Sequence, residues 1–257
     1  MLNCYIINLD QATERWESIL RSPGLKDLNI IRVSAIDGKT LQPPYPNFSS
    51  WGFFFCHGHR AHPSHIACYN SHLKALNLFL ESGEAYGLIC EDDITGTPEL
   101  SGVLKNVLRY SDTWDLVRLT GFRQKPFIPF VDLGDGYQLV SDLRCSISAA
   151  CYLLNRRAAQ LILRYHGVMR VYYDIALFYS IPVGIREATI VPFPVALNEL
   201  SKTTQLSREE AKYRYPLWHP CWLLKSLTVN PYRFFTRGWR KLHRIFLARQ
   251  RLRSTSQ

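Results

Sequence analysis

Short apolar runs alternate along this chain with segments of helical periodicity, and the alternation predicts an α/β protein. Leu2 to Leu9 reads as a strand. Asp10 to Thr13 opens a helix running from Glu14 to Arg21, and Asn29 to Ala35 is a second strand closed by the turn Asp37-Gly38. Strand, helix, strand in that order predicts a right-handed crossover in a parallel sheet. Pro43 to Pro63 reads as a loop, opened by Pro43, Pro44 and Pro46 and carrying the aromatic run Trp51 to Phe55 with His57, His59 and His62. From Ser64 to Ser82 the period is helical, with Ile66, Tyr69, Leu73, Leu76 and Leu80 on one face. Tyr86 to Cys90 suits a buried strand. Thr95-Gly96-Thr97-Pro98 then breaks the pattern before a helix from Pro98 to Tyr110. The remaining predicted elements are a strand at Asp115 to Leu119, a hairpin around Gly134-Asp135-Gly136 between Pro126 and Val140, and a strand at Ser146 to Leu154. A helix at Arg156 to Tyr165, a short helix at Tyr172 to Ser180 and a strand at Ile185 to Val191 follow.

Composition narrows the class. The 257 residues, 47% apolar and 20% charged, suit one large globular domain or one domain with an appendage. No apolar run approaches the roughly 18 residues of a membrane span, and the N-terminal stretch lacks the basic flank and cleavage site of a secretory signal. Seven irregularly spaced cysteines without a Cys-x-x-Cys pair predict reduced thiols in a cytosolic setting, and no zinc site of cysteine type is expected. The formal charge of +10 is uneven: nine Lys and Arg and no acid lie between Lys225 and Gln257, which leaves residues 1–224 at +1. The chain therefore divides into a nearly neutral body, 1–224, and a basic extension, 225–257.

Candidate chemistry concentrates at Glu91-Asp92-Asp93, where the apolar strand ends. Three carboxylates there repel one another, and a divalent cation would remove that cost. Oxygen-rich sites suit Mg²⁺ or Mn²⁺, usually shared with substrate phosphates. In open α/β sheets, ligands bind beyond the carboxyl ends of the strands, where this triplet is expected. The other reading is an acidic turn whose last Asp caps a helix.

Three segments together resemble glycosyltransferase family 25, the bacterial lipopolysaccharide and lipooligosaccharide galactosyltransferases and their collagen-modifying relatives. They are Ile6-Ile7-Asn8-Leu9-Asp10 with Arg15 behind it, Ile66-Ala67-Cys68-Tyr69-Asn70-Ser71-His72-Leu73-Lys74, and Leu88-Ile89-Cys90-Glu91-Asp92-Asp93. The resemblance covers residues 1 to 205, with weaker echoes in Ala35-Ile36-Asp37-Gly38, Ala149 to Ala159, Asp174 and Asn198 to Thr204. It implies a nucleotide-sugar transferase fold of the GT-A type with a single Rossmann-like, mostly parallel sheet, a UDP-sugar donor, and Mn²⁺ or Mg²⁺ as cofactor. By position, Glu91 and Asp93 correspond to metal ligands. Asn8, Leu9, Asp10, Arg15, Ser71, His72 and Asp92 correspond to donor-binding residues. The chain departs from the family at Ser64-His65, where relatives carry Gly-Glu, and at Asn70, which replaces a usual Leu on a helix expected to pack.

The implied reaction transfers a hexose, galactose foremost, to a lipid-linked lipooligosaccharide acceptor with inversion, which calls for a general base. Asp174, flanked by Tyr172 and Tyr173, is the candidate, against the alternative that it caps a helix beginning at Ile175; Glu199 stands in reserve. His72 reads either as a site residue or as a core histidine. His57, His59, His62 and His65 match no structural zinc pattern and read as a polar loop over the site. Ser201-Lys202-Thr203-Thr204 reads as a surface loop or as contacts to the diphosphate. In the extension, Phe235, Trp239, Leu242, Phe246 and Leu252 recur at helical spacing among Arg and Lys, the composition of a helix lying on anionic lipid. With the lipid-linked acceptor that the resemblance implies, the expected location is cytoplasmic, peripheral on the inner face of the bacterial inner membrane; a solvated helix packed on the body and a disordered arm are the other structural readings of the tail. A nucleic-acid-binding arm is the competing reading of the tail. The near-neutral body and the lack of a reading motif disfavour it, so no nucleic-acid partner is expected. A catalytically lapsed UDP-sugar-binding module is the third possibility.

Overall fold

The structure is a computed structural model and describes residues 1–121, 126–143, 148–178, 184–198 and 245–246. Strand β1 (Asn3–Asn8) lies between β2 (Asn29–Ser34) and β3 (Tyr86–Glu91), parallel to both. Helix α1 (Thr13–Arg21) links β1 to β2, and α3 (Pro63–Glu81) carries the chain from β2 across to β3. The two crossovers run to opposite sides of β1, so their helices cover opposite faces of the sheet. Accordingly Cys4 and Ile6 pack with Ile19 of α1, while Tyr5 and Ile7 pack with Ile66, Tyr69 and Leu76 of α3. The carboxyl ends of β1 and β3 thereby form a topological switch point. Asn8 and the acidic triplet sit at it.

The rest of the sheet refines one expectation. The eight strands run β2-β1-β3-β8-β5-β9-β7-β6, and six of them share one direction, but β8 and β7 run against it, so the sheet is mixed. Strand β8 (Cys151–Asn155) inserts antiparallel between β3 and β5 (Leu116–Arg118); β5 is parallel to β9 (Glu187–Val191). The hairpin of β6 (Phe127–Gly134) and β7 (Tyr137–Asp142) closes the far edge antiparallel, turning through Asp135 and Gly136 at positive φ. Periodicity sees that a strand is buried, not which way it runs. Helix α4 (Leu100–Arg109) covers the α1 face, and α5 (Arg156–His166) and α6 (Tyr173–Phe178) the α3 face.

Two further elements were not expected. The segment read as a loop contains α2 (Ser50–His57), whose start is capped by the Ser49 side chain on the Gly52 N–H and whose end is Gly58 in the left-handed region. Its apolar run lacks polar punctuation, and the prolines before it suggested irregular chain. The pattern break after the triplet contains β4 (Ile94–Gly96), which pairs antiparallel with β10 (Val195–Leu197) in a separate two-stranded sheet. The next helix begins at Leu100, two residues later than Pro98 suggested. Except for residues 245 and 246, the basic extension lies outside the described residues, as do Glu199 and Ser201 to Thr204. Among the described residues no helix is long and apolar enough to cross a membrane.

One buried carboxylate ties the far half together. Asp115, fully buried before β5, accepts from Arg157, from Arg186 through side chain and backbone, and from Asn155. Burial pushes this carboxyl up, but the Arg186 and Asn155 hydrogen bonds outweigh it and hold the pKa at about 2. Because the folded value is depressed, the stabilisation is present above the unfolded carboxylate range and is lost as pH falls through about 2. Asp115→Asn is expected to cost about 2 kcal/mol at pH 7 and markedly less at pH 3, read by urea denaturation at both values.

Candidate active site

The register of β1 against β3 builds the first layer of the site. Ile7 lies opposite Glu91, so the next residues, Asn8 and Asp92, meet at the sheet edge. The Asn8 amide donates to Asp92 Oδ2 at 2.6 Å, and Arg15 Nη1 reaches Asp92 Oδ1 at 3.0 Å from the first turn of α1. Arg32 of β2 donates to Asn8 Oδ1 through Nε at 2.9 Å and Nη2 at 2.5 Å, and the Asn8 amide also reaches the Ala12 carbonyl. Both Asp92 oxygens are thus engaged within the protein, and the middle acid fixes the turn that presents its neighbours. Asn8→Leu is expected to cost about 2–3 kcal/mol by leaving Arg32 and the buried Asp92 short of partners, measured by chemical denaturation.

Glu91 and Asp93 point to a different environment. Glu91 Oε1 lies 3.2 Å from His72 Nε2, and His72 Nδ1 lies 3.2 Å from the Tyr152 hydroxyl, which meets the Tyr173 hydroxyl at 2.9 Å. The His72 ring is fully buried and stacks on Tyr173, with centroids 4.0 Å apart and planes 7° apart. Asp93 is half-buried, and its Oδ1 is shielded from solvent without a hydrogen-bond partner. Burial, then the Glu91 and Asp92 carboxylates, push its pKa up to about 7 against the opposing pull of Arg15. The Asp93 carbonyl accepts from the Asn198 N–H at 2.8 Å, so the β4–β10 pair holds the end of the triplet in place.

These side chains border a two-lobed cleft whose lobes share Cys68, His72, Glu91 and Asp93. The larger lobe, about 700 Å³, runs past Leu9, Arg15, Asp37, Lys39 and Ser64. Its wall is set by Ser71, which accepts from the Ile36 N–H at 2.9 Å, and by Gly38, whose missing side chain lets the loop lie against Ser64 at the start of α3. The smaller lobe, about 380 Å³, is lined by His65, Ser148, Tyr172, Asp174 and Leu197. Burial, followed by the charge of Glu91, raises the Asp174 pKa, against the Ile175 N–H and Arg118, which lower it. Asp174 Oδ1 accepts from that N–H at 2.7 Å. Asp174 thus lines the cleft, but it does not cap a helix beginning at Ile175: α6 starts at Tyr173, so Asp174 lies in its first turn and bonds the next N–H along.

The sequence-derived candidates part company here. Glu91, Asp93, Arg15, Leu9, Ser71, His72, Asp92 and Asp174 border the cleft. Asn8 stands behind Asp92. Asp10 is exposed, accepts from the Ser34 hydroxyl at 2.7 Å and is not among the cleft-lining residues. Both tyrosines that precede Asp174 line the smaller lobe, Tyr173 from a buried position stacked on His72 and Tyr172 from a more open one. The histidines divide too: His57 stacks on Phe53, His62 caps α3, and His65 packs its ring against Tyr172. The unusual Asn70 is fully bonded, accepting from Asn47 and donating to the Pro46 and Ile66 carbonyls. Sequence reasoning missed Arg32, whose signal is a cation inside a strand, and Cys68. The latter precedes His72 by four residues and hence shares its helix face. The Cys68 thiol opens to the cleft, and enclosure there plus the Glu91, Asp174 and Asp93 carboxylates push its pKa up.

A mixed α/β sheet with an acidic cleft at its switch point is consistent with a glycosyltransferase-like α/β fold. The model of glycosyltransferase family 25, described as lipopolysaccharide biosynthesis proteins, matches residues 1–133, a span that contains β1, α3 and the triplet. The chain belongs to that family, and its class is that of a glycosyltransferase. No curated protein matches it. Among solved structures, the crystal structure of A197 from STIV is similar at 12% identity over 74% of this chain and 81% of that one, with a TM-score of 0.40.

Proposed function

We propose that this chain is a metal-dependent hexosyltransferase that takes a UDP-sugar donor, galactose foremost, and glycosylates a lipid-linked lipooligosaccharide with inversion. The single observation that carries the metal dependence is the shielded, unpartnered Oδ1 of Asp93 beside Glu91. A buried carboxylate oxygen without a donor is costly, and a hard divalent cation fits it. Glu91 and Asp93 would hold Mn²⁺ or Mg²⁺, which supplies Lewis-acid stabilisation of charge on the departing diphosphate.

The chain's own residues divide the remaining work. Arg15 and Lys39 give the larger lobe the cations that suit a nucleotide diphosphate, and Asp92 keeps Arg15 oriented. His72 holds Glu91 from the protein side, so that carboxylate is aimed before substrate arrives. In the smaller lobe, Asp174 sits where an acceptor hydroxyl entering from the Tyr172 side would meet it. Its raised pKa makes it a stronger base than an ordinary carboxylate. Glu199, one residue beyond the anchored Asn198, remains the alternative base. The tail's basic, aromatic composition supports adsorption to an anionic membrane facing the cytoplasm, which would confine enzyme and acceptor to one surface.

The test is a screen of UDP-sugars with purified protein, with and without Mn²⁺, following UDP release. One donor turned over only with metal is the expected result. Silence with every donor, or turnover indifferent to chelator, would defeat the proposal. Binding of UDP without turnover would instead favour a lapsed sugar-binding module.

A further inference from the structure

We propose that Cys68, His72 and Glu91 form a binding site for a borderline transition-metal cation of the Zn²⁺ class, separate in ligand chemistry from the all-oxygen pair Glu91 and Asp93. One sulfur, one imidazole nitrogen and one carboxylate oxygen from these residues lie within 4.8 Å of one another. Cys68 and His72 are four residues apart on α3, so the helix presents both on one face, and the end of β3 supplies the acid opposite them. Thiolate, imidazole and carboxylate are three of the ligand types that Zn²⁺ takes, and the thiolate disfavours Mn²⁺ and Mg²⁺. The absence of a Cys-x-x-Cys pair concealed the site, because its second and third ligands are not cysteines.

The surroundings of His72 match those of a metal-bound histidine. One ring nitrogen faces Glu91 and the other meets the Tyr152 hydroxyl, which is itself bonded to the Tyr173 hydroxyl. Without a metal, Nε2–H can donate to Glu91; when a cation replaces that proton, Tyr152 accepts from Nδ1–H and donates to Tyr173, so the Nε2 lone pair is directed at the ion between it and Glu91. A lone pair facing a carboxylate is unfavourable unless a cation or a proton lies between them. Stacking on Tyr173 prevents the ring from turning away, so the geometry is set before a metal arrives. All three ligands line the cleft, which leaves a fourth position open to water or a phosphate oxygen.

Glu91 belongs to both ligand sets. A cation held by Cys68 and His72 therefore withdraws Glu91 from Asp93, and the two occupancies exclude each other. This competition rests on the cation role proposed above for Glu91 and Asp93; the thiolate site itself does not.

The experiment uses the full chain stripped with chelator and titrated with Co²⁺, then Zn²⁺. Expected are a thiolate-to-cobalt charge-transfer band saturating at one equivalent, its bleaching by Zn²⁺, and its loss in Cys68→Ser. Zn²⁺ is also expected to slow iodoacetamide alkylation of Cys68, read by mass spectrometry of its peptide, by at least about tenfold, whereas equimolar Mn²⁺ does not. Tyr152→Phe removes only the outer hydroxyl, and Zn²⁺ affinity should fall about tenfold. Circular dichroism confirms folding of each variant. A cobalt spectrum without the band, a band that survives Cys68→Ser, or alkylation indifferent to Zn²⁺ would overturn the site. None of these readouts depends on turnover. Failure of the UDP-sugar screen with an intact cobalt band rejects only the transferase reading and the competition built on it.

Discussion

An Asp93→Asn protein is expected to lose roughly a thousandfold in sugar transfer and yet, free of metal at pH 8, to be more stable than its parent. The loss follows from removing one of two carboxylates offered to the cation, worth about 4 kcal/mol of stabilisation of developing charge. The gain follows from the same residue's environment. Burial and two neighbouring acids raise Asp93 to about 7, so the folded protein keeps its proton through a range in which the unfolded chain has released it. A raised carboxyl favours the folded state at acid pH, and that advantage is lost as pH rises from about 4 through about 7. Asn carries no charge and escapes the penalty. After discounting for partial exposure, the variant should gain about 2 kcal/mol at pH 8 and about a third of that at pH 5. Urea denaturation in chelator at both pH values, beside UDP-release assays in Mn²⁺, reads both effects. Unchanged turnover would remove the metal role; a variant less stable than the parent at pH 8 would refute the electrostatic account.

Asp174→Asn should lower transfer by about 10²–10⁴-fold without unfolding α6. The substitution separates the two functions that the structure joins in one side chain. An Asn Oδ1 still accepts from the Ile175 N–H, so the first-turn hydrogen bond persists. The amide cannot take a proton, so the base does not. If Asp174 serves the helix alone, Asn restores it and activity stays near that of the parent. Asp174→Ala removes both and should combine lost turnover with the loss of one hydrogen bond, about 1 kcal/mol. Should Asn and Ala each keep full activity, Glu199 becomes the base to test.

The legible part of this molecule was whatever a local pattern encodes. Crossovers β1–α1–β2 and β2–α3–β3 followed from alternation and helical period, and they alone bring Asn8 and the triplet to one switch point. The Gly134-Asp135-Gly136 hairpin was read from its turn residues. Strand direction was not legible: nothing in Cys151 to Asn155 says that it enters between two other strands with reversed polarity. The same limit held in the site. Asp92 and Asp93 are identical letters side by side, yet one is bonded on both oxygens and the other has an oxygen without a donor. Only the arrival of Asn8 and Arg15 from elsewhere in the chain distinguishes them. Asp10 misled for the converse reason, since its place in a motif segment said nothing of the Ser34 hydroxyl that holds it outward.

The internal engagement of Asp92 has a consequence for stoichiometry. With Arg15 cancelling the middle acid, the triplet would offer the proposed dication two negative charges instead of three once Asp93 gives up its proton, the amount that a single dication neutralises. A second ion would find no uncommitted oxygen donor in the triplet to balance it. On the cation role proposed for Glu91 and Asp93 the expected occupancy is one, and a calorimetric titration of the resting protein should saturate there.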